Sequence, residues 1–122
     1  MGDSKNYDAL NGKITNFHYV TIGHVFEIPI IKTIAEINNG IPKYRNSSQA
    51  YVIFDRDVNQ ITQVVFYKEN GEFDRRMEWG HTHGKFVKGT PHVQYFWNKE
   101  TRSPNEYEQK IFDEIKRRNF QP

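Results

Sequence analysis

Short blocks of hydrophobic and aromatic residues, separated by polar turns, occupy the middle of the chain. Four of these blocks are rich in β-branched and aromatic side chains, a composition that is typical of strands. They are Ala50–Asp55, Ile61–Lys68, Phe73–Trp79 and His92–Trp97. Because strands joined by short connections pair with their neighbours, the pattern predicts a four-stranded antiparallel meander with one face open to solvent.

Asn70-Gly71, between the second and third of these blocks, predicts the register of their pairing. This dipeptide favours a two-residue type I′ turn, in which both residues adopt φ > 0. The turn sets four pairs: Phe66 opposite Arg75, Val65 opposite Arg76, Val64 opposite Met77 and Thr62 opposite Trp79. It also places Glu69 opposite Glu72, an unfavourable like-charge pair, so a longer turn with a shifted register stays open as the alternative.

Side chains alternate across a strand, so this register divides the predicted hairpin into two faces. One face is core-like and contains Val64, Phe66, Phe73, Met77 and Trp79. The other face is polar and contains Gln63, Val65, Tyr67, Asp74, Arg76 and Glu78. Arg75 falls on the core-like face, which makes Arg76 the better candidate for a site on the sheet surface.

Two further segments favour helices. The apolar run Ile14–Ile31 is either two strands broken near Gly23 or a strand leading into a helix. We favour a helix over Ile30–Ile37, because Pro29 suits a first turn. Near the C-terminus, Ser103-Pro104 supplies a cap and a first-turn proline, and apolar residues follow at helical spacing. These residues are Tyr107, Ile111, Phe112 and Ile115.

The elements together predict an α+β fold, a four-stranded antiparallel meander sheet with one or two helices packed on one face. The 122 residues predict a single domain, residues 1–122, of which residues 1–13 are polar and expected to be flexible. No stretch approaches the roughly 18 apolar residues of a membrane span, and no signal peptide is evident. We therefore expect a cytoplasmic protein without a membrane partner, or a secreted one if it is a delivered effector.

The segment Gly80–His92 is the strongest candidate for function. It contains three of the five histidines, together with glycines, lysines and a proline, and it joins two predicted strands as a loop. A net charge of +2 is too small to indicate nucleic-acid binding alone, but acidic residues are rare here, so the segment is locally cationic. The chain has no cysteine, which excludes thiolate metal sites.

This combination of residues fits cleavage of RNA without a metal ion or other cofactor. The reaction needs a base for the 2′-hydroxyl, an acid for the leaving 5′-oxygen and a cation at the phosphate. Histidine suits the two proton transfers because its pKa is close to neutrality, and arginine suits the third role. The candidate catalytic residues are His81, His83, His92 and Arg76. The candidate substrate-binding residues are Lys85, Lys88, Thr90, Arg75 and Tyr95.

Three alternatives assign other roles to the same segment. In the first, the histidines are ordinary loop residues that are solvated or bonded to a carbonyl. In the second, His81-x-His83 and His92 hold a metal ion and leave a position open for water, although a carboxylate shortly after the pair is missing and nearby lysines repel a dication. In the third, a non-catalytic phage or regulatory protein uses the polar sheet face and the basic loop to bind a protein or nucleic acid.

Four short elements together resemble the C-terminal toxin domains of bacterial polymorphic toxin systems. The elements are Lys68-Glu69-Asn70-Gly71, Arg75-Arg76, His81-Thr82-His83-Gly84 and Gly89-Thr90-Pro91-His92-Val93. The resemblance covers roughly Ala50 to Trp97 and implies a small metal-independent RNase with a barnase-, EndoU- or RelE-like fold. It further implies acid–base roles for the three loop histidines, Arg76 or Lys85 at the phosphate, an RNA substrate and a cognate immunity protein.

Overall fold

The computed structural model describes the backbone of residues 4–8, 13–33 and 48–122, and the side chains of residues 19–33 and 48–122. In this part of the chain, eight strands form one sheet in chain order, and one helix follows them. The strands are β1 (Ser4–Asp8), β2 (Lys13–Val25), β3 (Ile28–Thr33), β4 (Ala50–Asp55), β5 (Gln60–Tyr67), β6 (Phe73–Glu78), β7 (His92–Tyr95) and β8 (Thr101–Arg102). The helix, α1, spans Glu106–Arg117. No helix among the described residues is long and apolar enough to cross a bilayer.

The sheet is mixed, and the predicted four-stranded antiparallel meander is wrong. β3 and β4 run parallel, while the other neighbouring pairs are antiparallel. The four predicted strands correspond to β4–β7, which continue into β1–β3 on one side and β8 on the other. The fold is therefore mostly sheet, with α1 as the one helix of the described residues. Two parallel neighbouring strands are joined by a crossover connection, and a crossover has no local turn signal that would predict it from the sequence.

The predicted helix over Ile30–Ile37 is wrong where the structure describes it. Its first residues belong to β3, and residues 34–37 lie outside the described part of the chain. Ile30 and Ile31 are both buried, but they pack into different clusters. A strand that is buried on both faces carries consecutive apolar residues, and periodicity alone does not separate such a run from a helix. Within the segment expected to be flexible, Ser4–Asp8 form β1.

The connection between β5 and β6 is not the predicted type I′ turn. Gly71 has a φ of +93°, whereas Asn70 is not among the described residues with positive φ, so the turn lacks one of its two required conformations. The Gly71 N–H donates to the Lys68 carbonyl at 2.9 Å, and the Lys68 N–H donates to the Glu72 carbonyl at 2.8 Å. The connection is thus a three-residue turn that ends on a glycine with positive φ.

The predicted register is nevertheless correct in the middle of this hairpin, because a bulge compensates for the longer turn. The sheet pairs Val64 with Met77, Val65 with Arg76 and Phe66 with Arg75, whereas the predicted Thr62–Trp79 pair falls past the end of β6. The register shifts between Phe66 and Tyr67, and Tyr67 pairs with Phe73. Asp74 is the extra residue. Phe73 consequently lies on the face opposite to the predicted one, stacked between Tyr67 and Phe96.

Hydrophobic clusters cover both faces of the sheet. The first cluster lies between the sheet and α1 and includes Val52, Phe54, Val64, Phe66, Met77, Trp79, Val93, Ile111, Phe112 and Ile115. The second cluster contains Tyr19, Ile31, Tyr51, Val65 and Tyr67, with Ile53, Phe73 and Phe96 packed against it. Because neighbouring residues of a strand point to opposite faces, the second cluster occupies the face predicted to be polar. That face is therefore partly a core.

The N-cap of α1 is Asn105, and not the predicted cap Ser103-Pro104. The Asn105 side chain accepts a hydrogen bond from the Glu108 N–H at 2.8 Å, and the Glu108 carboxylate accepts one from the Asn105 N–H at 2.8 Å. This reciprocal pair is a capping box. The predicted apolar stripe is buried at Ile111, Phe112 and Ile115, whereas Tyr107 is exposed.

Candidate metal centre

Glu78 and His92 stand opposite each other on β6 and β7, and the segment between them is a loop, as the sequence indicates. His83 and Phe86 exchange two backbone hydrogen bonds, of 2.8 and 2.9 Å, across a turn in which Gly84 has a φ of +57°. The turn brings the Phe86 ring to 5.7 Å from the His92 ring, measured between centroids. The loop thus folds back over the sheet face that carries Glu78 and His92.

The His92 ring is completely buried, with 0 % of the residue exposed. The ring centroids of His81 and His83 lie 5.8 and 5.2 Å from it, and we call these three residues the histidine cluster. Within the described part of the chain, neither nitrogen of the His92 ring has a hydrogen-bond partner. Burial lowers the pKa of His92 by more than the neighbouring Glu78 carboxylate raises it. His92 is therefore a neutral imidazole at neutral pH, the form that binds metal ions.

Glu78 connects the histidine cluster to Arg76. Its Oε1 lies 3.3 Å from Nε2 of His81 and 3.5 Å from Nε2 of His92. Its Oε2 lies 3.7 Å from Nε of Arg76. The side chains of Glu78 and His81 are 12 % and 60 % exposed, so the site opens to solvent at His81.

Glu78, His81 and His92 form a metal-donor set, since one ligand atom from each lies within 4.8 Å of the other two. Nitrogen and oxygen ligands lie about 2.0–2.2 Å from zinc, which places two corners of a tetrahedron about 3.3–3.6 Å apart. The 3.3 and 3.5 Å contacts of Glu78 fall in this range, and they are longer than the roughly 2.7–2.9 Å of a charged N–H···O hydrogen bond. Rotation of the exposed His81 ring can shorten the remaining distance, which is the one between the ligand nitrogens of His81 and His92.

The structure brings together all three predicted catalytic histidines and places Arg76 beside them through Glu78. His83 is not part of the metal-donor set, however; its Nε2 lies 3.4 Å from Oγ1 of Thr101. The predicted substrate-binding residues of the loop are exposed; they are Lys85, Lys88 and Thr90.

Arg75 and Tyr95 lie on the other face of the sheet, away from the histidine cluster. Arg75 Nε donates to Glu108 at 2.6 Å, and the Tyr95 hydroxyl accepts hydrogen bonds of 3.2 and 3.1 Å from Arg102. Both side chains therefore help to join the sheet to α1, and their role in substrate binding stays a prediction.

Glu78 is the residue of this site that sequence reasoning missed. A carboxylate was expected after the histidine pair, but it precedes His81 by three residues, as Glu78-x-x-His81. Its second histidine partner, His92, is brought opposite by the β6–β7 register, which a long loop does not specify. The available signal was an acidic residue at the end of a strand, immediately before a histidine-rich loop.

The chain matches no family model, and no curated protein or solved structure shows significant similarity to it. The resemblance to toxin domains therefore stays a prediction. The chemistry of the site is the remaining guide to function.

Proposed function

We propose that this protein binds one divalent transition-metal ion, with Zn²⁺ the best fit, through Glu78, His81 and His92, and uses it for hydrolysis. The observation that carries this proposal is the buried His92 ring, which has no hydrogen-bond partner among the described residues and faces the Glu78 carboxylate at 3.5 Å. A buried polar group without a partner is costly and calls for a ligand or another explanation. An ion at this position gives one of the two ring nitrogens a direct ligand bond.

The ligand types support a hydrolytic role. Two imidazoles and one carboxylate, with a fourth position open to water or substrate, form the ligand set of several catalytic zinc sites. The exposed His81 side chain leaves the solvent side accessible. An ion in such a site acts as a Lewis acid and lowers the pKa of bound water.

The spacing of the donors favours zinc over magnesium, which binds six ligands at short distances. Neighbouring corners of an octahedron with bonds of about 2.0–2.1 Å are only roughly 2.8–3.0 Å apart, whereas the Glu78 contacts are 3.3 and 3.5 Å. Imidazole ligands also suit zinc better than magnesium or calcium. The absence of cysteine leaves nitrogen and oxygen as the donors.

Neighbouring cations are compatible with an ion at this position. Arg76 faces the second oxygen of Glu78 at 3.7 Å, and partners of this kind orient the carboxylates that ligate metals. The Lys85 ammonium lies 5.5 Å from the Phe86 ring centre and is exposed, so that water and salt screen its repulsion.

The predicted metal-independent ribonuclease mechanism fits this geometry less well. A general acid or base comes within about 3.2 Å of the reacting atom, directly or through one water, but His92 is completely buried. In a metal site, burial of one ligand is no obstacle, because the ion and not the ligand contacts the substrate. RNA as a substrate and an immunity protein as a partner stay predictions in both mechanisms.

Elemental analysis of protein purified without a histidine tag tests the metal site. We expect near-stoichiometric zinc, or its uptake on titration against a competing chelator. His81→Ala and Glu78→Gln are expected to weaken zinc binding by at least about 100-fold, since even outer partners of metal ligands contribute about 10–100-fold. His81 is exposed, so its replacement leaves folding intact.

Two histidine variants serve as matched controls. His24→Ala removes an exposed histidine of β2, and His83→Ala removes a member of the histidine cluster that faces Thr101. Both are expected to bind zinc like the wild type. Absence of zinc binding by the wild type, or equal losses in His83→Ala and His81→Ala, would overturn the assignment. RNA cleavage that persists in EDTA and leaves 2′,3′-cyclic phosphates would favour the metal-independent mechanism instead.

A further inference from the structure

A pocket of about 190 Å³ lies next to the metal-donor set. It is lined by Arg76, Gln94, Tyr95, Phe96 and Lys99. Arg76 and Gln94 are register partners on β6 and β7, directly beside the partners Glu78 and His92. A water molecule accounts for roughly 30 Å³ of liquid, so the pocket accommodates a group of several heavy atoms, such as a phosphate.

Two cations of the pocket have unused binding capacity. The Arg76 side chain is 34 % exposed, and within the described residues its one ion pair is the 3.7 Å contact between Nε and Glu78, which leaves the terminal guanidinium nitrogens free to donate. Lys99 is exposed and forms no salt bridge with a described residue. A planar guanidinium beside an ammonium suits a phosphate group.

The turn that carries Lys99 is held in place by its own hydrogen bonds. The Lys99 N–H donates to the Tyr95 carbonyl at 3.0 Å, and Gln94 Nε2 donates to the Lys99 carbonyl at 3.4 Å. Lys99 has a φ of +59°, a conformation that few non-glycine residues adopt. The ammonium therefore projects from a fixed backbone.

An exposed tryptophan lies in the same turn as Lys99, between the pocket residues Phe96 and Lys99. Trp97 is 59 % exposed, its ring lies 5.1 Å from the ring of Tyr95, and its indole N–H donates to Asp74 at 3.2 Å. Asp74 also binds Arg75 at 2.7 Å, so its charge is compensated. An indole that is exposed but held in place offers a stacking surface for an unpaired base.

We propose that the Arg76–Lys99 pocket binds a backbone phosphate of a single-stranded nucleic acid, with an adjacent base stacked on Trp97. Stacking favours a single strand over a duplex, because bases in a duplex are already stacked on each other. Arg76 of the pocket contacts Glu78 of the metal-donor set at 3.7 Å, so a strand bound in the pocket lies beside the proposed metal site. That this strand is also the substrate rests on the proposed function, whereas its binding does not.

Fluorescence anisotropy with short labelled single strands of RNA and of DNA, measured in EDTA, tests the pocket without the metal. We expect both strands to bind, because the contacts are to phosphate and to base faces. Arg76→Gln and Lys99→Ala should each weaken binding and reduce the slope of log affinity against log salt by about 0.7, the value for one phosphate contact on a single strand. Lys116→Ala on α1 removes the same charge from an exposed position and should leave both quantities unchanged.

Trp97→Leu separates stacking from charge. The loss of one stacked base should weaken binding by about 5- to 150-fold with no change in the salt slope. The intrinsic fluorescence quenched by the bound strand should come from Trp97, because the other tryptophan, Trp79, is buried.

Three results would overturn the proposed binding of a single strand to this pocket. They are no binding of either strand, an equal effect of Lys116→Ala and Lys99→Ala, and displacement of the labelled strand by inorganic phosphate as effectively as by an unlabelled oligonucleotide. His81→Ala should bind the strand like the wild type in EDTA. Failure of zinc binding with intact strand binding would reject the metal centre alone, and the reverse result would reject the pocket alone.

Discussion

Two glutamates, on opposite sides of one sheet, show how a closed polar cluster differs from an open one. Glu108 is completely buried and accepts short hydrogen bonds from Arg75 at 2.6 Å, from Arg102 at 2.7 and 3.1 Å and from the Asn105 N–H at 2.8 Å. Glu78 has three basic neighbours, but none of them is closer than 3.3 Å. The first carboxylate has complete hydrogen bonding, and the second does not.

The contrast separates a polar cluster with a structural role from one with a candidate functional role. Buried polar groups are normally satisfied, so the Glu108 cluster is explained by its role in joining α1 to the sheet. The Glu78 cluster includes a buried ring that has no hydrogen bond among the described residues, which folding alone does not explain. Arg75 and Arg76 illustrate the same division, because they are adjacent in sequence and alternation along β6 assigns one to each cluster.

Loss of Glu108 is the change expected to have the largest effect on stability. Glu108→Ala leaves Arg75 and Arg102 without their shared carboxylate, and breaking a buried ion pair costs about 3–5 kcal/mol. Glu78→Ala in the metal-free protein should cost less than about 1 kcal/mol, since its contacts are longer than hydrogen bonds and two of its three partners, Arg76 and His81, are partly exposed. Denaturant unfolding of both variants measures the difference, and similar losses would contradict the comparison.

Zinc bound at Glu78, His81 and His92 should stabilise the folded protein. At a free concentration 100 times the dissociation constant, an ion that binds only the folded state adds about 2.7 kcal/mol to the free energy of unfolding. His81→Ala should abolish this gain, whereas Glu108→Gln, although less stable, should retain it. Thermal unfolding with and without zinc gives the result; a gain that survives in His81→Ala would place the ion elsewhere.

Replacement of His92 by an apolar residue should stabilise the metal-free protein. His92→Leu removes a buried polar ring, and a buried polar group without a partner costs about 1–3 kcal/mol, so we expect a gain of about 1 kcal/mol together with loss of zinc binding. Unfolding in EDTA measures the first effect and a zinc titration the second. A variant that is clearly less stable than the wild type would show that the ring is satisfied in the protein.

Acid should weaken the Glu108 cluster, and this is the smallest of the expected effects. Burial acts to raise the pKa of Glu108, but hydrogen bonds from Arg102, the Asn105 N–H and Arg75 outweigh it and hold the pKa below the ordinary value of 4.5. A carboxylate with a lowered pKa in the folded state stabilises the protein above its unfolded pKa and loses this contribution as the pH falls. The free energy of unfolding should therefore fall below pH 4.5, and less steeply in Glu108→Gln.

Local patterns in the sequence predict local structure well in this chain. The bounds of β4 agree with the prediction, and the buried face of α1 follows the predicted apolar stripe at Ile111, Phe112 and Ile115. The β5–β6 register is right for three pairs although its turn is not type I′, because the longer turn and the bulge at Asp74 offset each other. No sequence pattern predicts that the turn and the bulge offset each other. For this reason the predicted face of Phe73 is wrong.

Features that depend on distant parts of the chain were not predictable in this way. The parallel pairing of β3 with β4 buries β3 on both faces and makes Ile30-Ile31 resemble part of a helix. At the candidate site, the sequence identified the histidine-rich loop and Arg76 but not Glu78, whose partnership with His92 depends on strand register. The helix start also has a local signal, since the sequence Asn105-x-x-Glu108 fits a capping box, whereas the preceding Ser103-Pro104 resembles a cap but does not form one.

All three proposed metal ligands belong to one hairpin, formed by β6, β7 and the loop between them. Glu78 and His92 are cross-strand neighbours, and His81 follows Glu78 by three residues at the start of the loop. Residues 87–90, farther along the loop, are exposed and supply none of the proposed ligands. The arrangement is therefore a self-contained cassette, which protein engineers can transplant onto an unrelated antiparallel hairpin by copying Glu78-x-x-His81 and a histidine opposite the glutamate.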